Sequence, residues 1–283
     1  MRSLPNLVIE PIVRAALLED LGRAGDLTTD SIIAAGAQAT VQLAAREPGV
    51  IAGLPLALLA WQLVDTAISV EVHLPDGSRV APGGVIATAS GPARGLLTGE
   101  RVALNFLGHL SGVATGTATI ADAIAHTKAR VADTRKTIPG LRALQKYAVR
   151  CGGGVNHRFG LDDAVLIKDN HIAVAGGIRP AVAAARAHAG HLVKIEVEVD
   201  SLAMLAELLA VGADVVLLDN MSPDELREAV ALVAGRMVTE ASGRITPATA
   251  VPIAEAGVDL ISVGWLTHSA RVLDIGLDHV PRP

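Results

Sequence analysis

Two rhythms of apolar and polar positions divide the chain. In the first part, residues 7–21 have helical apolar spacing, and 40–46, 68–74 and 85–89 read as short strands around the turn Pro75-Asp76-Gly77. Residues 53–64 read as a helix between strands, and 94–125 as a helical stretch interrupted around Ser111-Gly112. This part is α+β. After Lys128, apolar runs at 130–134, 164–168, 191–198, 214–219, 237–240 and 259–263 predict six strands. Helical stretches near 141–150, 179–188, 201–211, 223–234 and 247–256 separate them. Alternation of this kind predicts a parallel sheet, open or closed into a barrel. The echo of D-A-V-L-I-K-D-N from Asp163 in D-V-V-L-L-D-N from Asp214 supports repeated βα units. Six strands are too few for a full eightfold barrel, so the expectation is an incomplete one. Domain boundaries are expected at 1–110 for an N-terminal sandwich, completed by the tail 271–283, and 111–270 for the barrel.

The strand ends carry the candidate chemistry. The runs terminate at Thr134-Arg135-Lys136, Lys168-Asp169-Asn170, Glu198, Asp219-Asn220, Glu240-Ala241-Ser242-Gly243 and Gly264. In α/β barrels the active site lies at the C-terminal strand ends, so these residues are expected to converge in one mouth. Its cations suit a substrate with more than one carboxylate or phosphate. Glu198 and Asp219 suit Mg²⁺ held through oxygen, with phosphate oxygens completing the shell. The loop Ser242-Gly243-Arg244, before a helix starting near Thr246, suits a phosphate.

Charge sharpens this picture. The chain of 283 residues has a formal net charge of -5. Yet the stretch 133–171 holds Arg135, Lys136, Arg142, Lys146, Arg150, Arg158 and Lys168, with His157 and His171. A local positive field in an acidic protein usually serves an anionic small ligand. Aromatic residues make up 2% of the chain, which argues against stacking on single-stranded nucleic acid, as does the acidic balance. Cys151 is the single cysteine, so no intrachain disulfide forms, and no signal-like apolar run develops before Glu10. Both fit a cytoplasmic setting. The uncharged stretches 48–64 and 102–121 are interrupted by prolines or by polar residues and glycines, and read as buried helical segments, not membrane spans.

Plainer roles compete for several of these residues. Arg142, Lys146 and Arg150 have helical spacing and read as a solvated face. Lys194 and Glu196 share the strand parity of Glu198, so either is a buried ion pair or a ligand contact. His109, His157 and His171 admit purely structural roles, and Cys151 reads as inert. Gly152-Gly153-Gly154 does not match a dinucleotide fingerprint and reads as a turn. Asp162 and Asp163 read as braces where the chain approaches its next strand. Four cations together at Arg135, Lys136, Arg158 and Lys168 resist a structural account, because they repel one another without an anion.

In order along the chain stand E-D-L-G-R-A-G-D-L-T-T, R-E-P-G-V-I-A-G, L-L-T-G-E-R-V-A-L-N-F-L-G-H-L-S-G-V-A-T, D-T-R-K-T-I-P-G-L-R, N-H-R-F-G-L-D-D, L-I-K-D-N-H, E-V-E-V, L-L-D-N, E-A-S-G and L-T-H-S. This series resembles the quinolinate phosphoribosyltransferases. The resemblance implies an α/β sandwich with an open α/β barrel, and a homodimer in which Arg101 of T-G-E-R reaches the partner's site. It implies quinolinate and 5-phosphoribosyl 1-pyrophosphate as substrates, with Mg²⁺. The family's quinolinate-binding cations map onto Arg101, Arg135, Lys136, His157, Arg158 and Lys168, beside Thr134. Its metal and ribose carboxylates map onto Glu198 and Asp219, and its phosphate loop onto Ser242, Gly243 and Gly264. Lys136, Lys168, Glu198 and Asp219 are the expected catalytic set. The family usually has E-A-S-G-G, and Arg244 stands where the last glycine falls. Three rivals remain: a paralogue with another substrate, an aldolase-type barrel using Lys168 as a Schiff-base nucleophile, and an anion-binding regulator.

Overall fold

The computed structural model describes residues 4–281. Its elements run α1 (Asn6–Leu21), α2 (Leu27–Ile32), β1 (Gln38–Ala45), β2 (Gly49–Val50), α3 (Leu54–Val64), β3 (Ser69–Val72), β4 (Arg79–Val80), β5 (Val85–Pro92) and α4 (Ala93–Ala123). Then come β6 (Arg130–Ala132), α5 (Arg142–Cys151), β7 (Val165–Ile167), α6 (Asp169–Ala175), α7 (Ile178–His188), β8 (Ile195–Val199) and α8 (Leu202–Val211). The chain ends through β9 (Val215–Asp219), α9 (Pro223–Val233), β10 (Val238–Ser242), α10 (Pro247–Glu255), β11 (Leu260–Ser262), α11 (Trp265–His268) and β12 (Ile275–His279). Among the described residues no helix is long and apolar enough to cross a membrane.

Two compact units result. The first takes the chain up to Ala118, the excursion Pro139–Gly153 and everything from Ser269 onward; the second takes Thr119–Ile138 and Gly154–His268. In the first, four antiparallel strands order as β12-β1-β5-β3, beside a small β2-β4 pair. The tail therefore enters this sheet, with Leu43 opposite Leu277 on β1 and β12. Helix α3 buries Leu56 and Trp61 completely in the core, and the indole N–H of Trp61 donates to Leu96 O at 3.0 Å.

The expected break at Ser111-Gly112 does not occur: α4 is one helix of 31 residues. Ser111 is fully buried, accepts from Ala52 N at 3.0 Å and donates to Ala52 O at 3.2 Å, so its hydroxyl serves packing. A Cβ on Gly112 would sit 1.7 Å from Arg271 O, so this glycine admits the returning tail. Gly152 ends α5 and likewise lets it lie against α4, where a Cβ would meet Ala114 O at 2.2 Å. Both small-residue signals mark close backbone approach. The solvated-face reading of α5 also needs correcting, because Lys146 is only 3% exposed while Arg150 lies outside. The excursion that carries α5 departs from the uninterrupted barrel segment 111–270 expected from the sequence.

In the second unit all six strands are parallel, ordered β6-β11-β10-β9-β8-β7. The opening falls between β6 and β7, consecutive in the chain yet at opposite ends of the sheet. Beyond β6 the segment before β7 adds one parallel bridge, Ala132 to Val155. Alternation on the strands sorts the side chains. Ile195, Val197 and Val199 of β8, and Val216 and Leu218 of β9, join the buried core. Glu196 and Glu198 occupy the other parity of β8, as do Glu240 and Ser242 on β10. The helices are cut by local caps: Ser201 accepts from Met204 N, and Ser222 and Glu225 form a reciprocal capping box at Pro223.

Candidate active site

Nine of the expected residues line one cavity of about 400 Å³ in the second unit: Thr134, Arg135, Lys136, His157, Arg158, Lys168, Glu198, Asp219 and Ser242. Leu166, Leu217, Glu240 and Ser262 complete its wall. Gly243 and Gly264 border the same strand ends. A Cβ on Gly264 would lie 3.1 Å from Lys136 Cδ, so the glycine leaves room for the lysine stem. Arg101 is not among the lining residues. It sits on α4 in the first unit, with its side chain 63% exposed.

The wall nearest β6 is fixed by a buried carboxylate. Asp133 is fully buried and accepts from Asn156 Nδ2 at 2.6 Å and His157 N at 2.9 Å. This pins the irregular segment 156–158 against the strand end. Arg158 Nη1 then donates to Ala164 O at 3.0 Å. Burial, followed by the nearby charge of Arg135, holds the Arg158 guanidinium below its ordinary value. Two guanidinium groups close enough to oppose each other form a site for an anion. Asp163 braces the following turn, accepting from Phe159 N and Gly160 N at 2.6 and 2.9 Å.

Across the cavity Lys168 Nζ lies 3.1 Å from Glu198 Oε2. His171 serves the backbone, its Nδ1 accepting from Lys168 N at 2.9 Å at the start of α6. Asp219 ends β9 in register with Ser242 of β10 and accepts from Asn220 Nδ2 at 2.6 Å. Asn220 adopts φ 55, and a Cβ on Gly243 would come within 2.4 Å of its amide oxygen. Gly243 itself has φ 113, which only glycine adopts at ease.

Below the cations three of the candidate residues form a cluster whose grouping strand-end reasoning did not give. His157 Nε2 is 3.0 Å from Glu196 Oε2 and 3.6 Å from Glu240 Oε1. Glu196 and Glu240 are 7% and 2% exposed, and each keeps a buried Oε1 without a hydrogen-bond partner. Burial first, then the charge of Glu196, pushes the Glu240 carboxyl up to about 7. The parity of E-V-E-V gave Glu196 its inward direction. Lys194, on the same parity, instead pairs with Asp214 at 2.7 Å with its side chain 73% exposed. Cys151 belongs to the first unit, where burial and then Asp76 push its thiol up to about 12, so it is inert as a nucleophile at neutral pH. His109 is satisfied by Gln145 Nε2 at 3.0 Å, and burial holds its pKa low.

Arg244 is exposed and left-handed, with φ 46. For an L side chain this region costs roughly 1–2 kcal/mol. Replacement by glycine removes that strain, partly offset by a more flexible unfolded chain. Thermal unfolding of Arg244→Gly is therefore expected at a Tm about 2–4 °C higher; an equal or lower Tm would mean the arginine makes compensating contacts.

Residues 26–111 match the N-terminal domain of quinolinate phosphoribosyl transferase, and 113–278 match its C-terminal domain. The chain belongs to the quinolinate phosphoribosyl transferase family. It is 47% identical to the nicotinate-nucleotide pyrophosphorylase [carboxylating] of Mycobacterium leprae, over 94% of this chain and 95% of the relative. A probable nicotinate-nucleotide pyrophosphorylase [carboxylating] of Bacillus subtilis is 44% identical, over 96% and 94%. The solved nicotinate-nucleotide pyrophosphorylase of Francisella tularensis superposes with a TM-score of 0.94 at 40% identity, covering 98% of both chains. In quinolinate phosphoribosyl transferase terms, both domains of the family are present, and the cavity lies at the strand ends of the second unit.

Proposed function

We propose that this chain transfers the phosphoribosyl group of 5-phosphoribosyl 1-pyrophosphate to the ring nitrogen of quinolinate with decarboxylation. The products are nicotinate mononucleotide, pyrophosphate and CO₂, a step of de novo NAD biosynthesis. One observation carries the reading. Four cations line a single cavity of about 400 Å³ together with the carboxylates of Glu198 and Asp219, large enough for a pyridine dicarboxylate beside a sugar phosphate.

Arg135, Lys136, Arg158 and Lys168 pair with the two carboxylates of quinolinate, replacing their water and fixing the ring for attack. Glu198 and Asp219 flank the ribose and stabilise the positive charge that grows on its anomeric carbon as pyrophosphate leaves. The ring nitrogen donates its electron pair to that carbon and becomes cationic. It can then accept the electrons of the adjacent carbon–carboxylate bond, CO₂ departs, and the ring carbon takes a proton. Ser242, Gly243 and Gly264 seat the 5-phosphate. Glu198 and Asp219 present hard oxygen donors from neighbouring strands, a set that fits Mg²⁺ with water and phosphate oxygens completing its shell. When bound, Mg²⁺ neutralises charge on the leaving pyrophosphate. The active assembly is a homodimer, in which the exposed Arg101 serves the partner's cavity. A single, buried cysteine fits a cytoplasmic location.

Purified protein given quinolinate, 5-phosphoribosyl 1-pyrophosphate and Mg²⁺ is expected to form nicotinate mononucleotide, and none with nicotinate in place of quinolinate. Absence of product from quinolinate would overturn the reading in favour of a paralogue with another substrate.

A further inference from the structure

The histidine of the cavity wall is placed differently from the four cations around it. Its Nδ1 accepts a hydrogen bond from Arg158 N at 2.7 Å. A nitrogen that accepts carries no proton, so the ring proton is on Nε2. That N–H faces the barrel interior, 3.0 Å from the Glu196 carboxylate on β8, with Glu240 of β10 at 3.6 Å. Both ring nitrogens are therefore engaged by the protein, and a second ring proton would break the bond from Arg158 N.

We propose that His157 is a neutral strut and not a cation offered to the ligand, and that Glu196 and Glu240 are the positioning residues that hold it beneath Arg158. The proposal rests on the functional reading above. It reassigns one of the groups that resemblance would count as binding quinolinate by charge.

The arrangement has a physical purpose. Arg158 and Arg135 repel each other in a half-buried wall. Arg158 has to be fixed before an anion arrives, or its side chain would swing away from its neighbour. Three anchors do this: Asp133 holds the backbone of His157, the His157 ring holds the backbone N–H of Arg158, and Ala164 O holds Nη1. The ring is anchored only if something accepts its Nε2–H in the dry interior, and Glu196 supplies that acceptor. Two buried carboxylates side by side would repel, and a proton kept on one of them relieves this. The raised affinity of Glu240 for a proton agrees.

Three ligand atoms from His157, Glu196 and Glu240 lie within 4.8 Å of one another, a spacing that a metal ion could also use. The proton assignment speaks against it. A metal on Nε2 needs Nδ1 to carry the proton, and Nδ1 is the acceptor here.

Long-range ¹H–¹⁵N correlation spectra of the native protein with labelled histidine test this directly, His157→Asn identifying the signals of one ring among 9 histidines. At pH 7 the His157 ring is expected to show protonated Nε2 and bare Nδ1, unchanged at saturating quinolinate. A ring that becomes doubly protonated with quinolinate, or carries its proton on Nδ1, overturns the proposal. So does Zn²⁺ that copurifies in equal amount and is lost in Glu196→Ala. In kinetics, Glu196→Ala is expected to raise KM for quinolinate about tenfold with kcat within about threefold. Glu196→Gln, which keeps an oxygen acceptor, restores most of the loss. An unchanged KM in Glu196→Ala removes the positioning role, and if that variant does not fold, the native ring signals decide. If the native protein transfers no phosphoribosyl group, the functional reading fails while the ligand-free spectra still settle the tautomer.

Discussion

Arg158→Ala and Arg135→Ala are each expected to raise the KM for quinolinate by at least about tenfold. A charge-assisted hydrogen bond in a partly dry site contributes roughly 1.5–3 kcal/mol, and 1.4 kcal/mol is a factor of ten. The two losses should differ in character. Arg158 is already held by Ala164 O and by the wall around His157, so its guanidinium arrives preorganised. Removing it deletes a contact whose ordering cost has been met by the fold. Burial and then the charge of Arg135 hold Arg158 below its ordinary value, so removing Arg135 relieves the second of these and returns part of the loss. Arg158→Ala should thus be the more damaging, and because the repulsion is relieved only once, the double variant should lose more than the product of the single effects. Isothermal titration with quinolinate alone separates binding from turnover. Native affinity in both single variants would remove these residues from the site.

The sequence made the barrel legible because its strands repeat one grammar: an apolar run, a polar stop, then a helix with a local cap. Ile195, Val197 and Val199 alternate with Glu196 and Glu198, so parity alone put both carboxylates on the inner face. Asp219, Lys168 and Ser242 followed from the same ends. What stayed hidden depended on chain segments without a period. His157 lies on an irregular stretch tied to β6 by a single bridge and by Asp133, and no spacing announces that its ring meets β8 and β10. The cluster it forms with Glu196 and Glu240 is a tertiary fact. Ser111-Gly112 looked like a break because small polar residues favour helix ends in isolation. Burial against Ala52 and the tail at Arg271 outweighs that preference. The return of α5 to the first unit was equally illegible, since a helix with three cations reads as a surface until one of them, Lys146, is found inside. Arg101 stands on helix α4 and at no strand end in the sequence, and only the resemblance singled it out.

Glu198→Gln and Asp219→Asn are expected to lower kcat by about 10²–10³-fold while moving the KM for quinolinate by less than about threefold. Both side chains keep their shape in these variants, so packing changes little and charge is what is lost. Substrate binding to the cations does not need that charge. The reaction does, because positive charge appears at the anomeric carbon only as the bond to pyrophosphate breaks, and a carboxylate that meets it there stabilises the transition state more than the ground state. The two variants should still differ. Glu198 is paired with Lys168 at 3.1 Å, so Glu198→Gln leaves an uncompensated ammonium in the cavity. That ammonium can draw a quinolinate carboxylate more strongly, so a modest fall in KM is expected to accompany the fall in kcat. Asp219 faces Ser242 across the β9–β10 ladder and accepts from Asn220, and among the described residues no cation forms an ion pair with it. Asp219→Asn should therefore depress kcat without tightening quinolinate. Steady-state kinetics with both substrates varied measure this split, and a kcat within threefold of native in either variant would take that carboxylate out of the reacting centre.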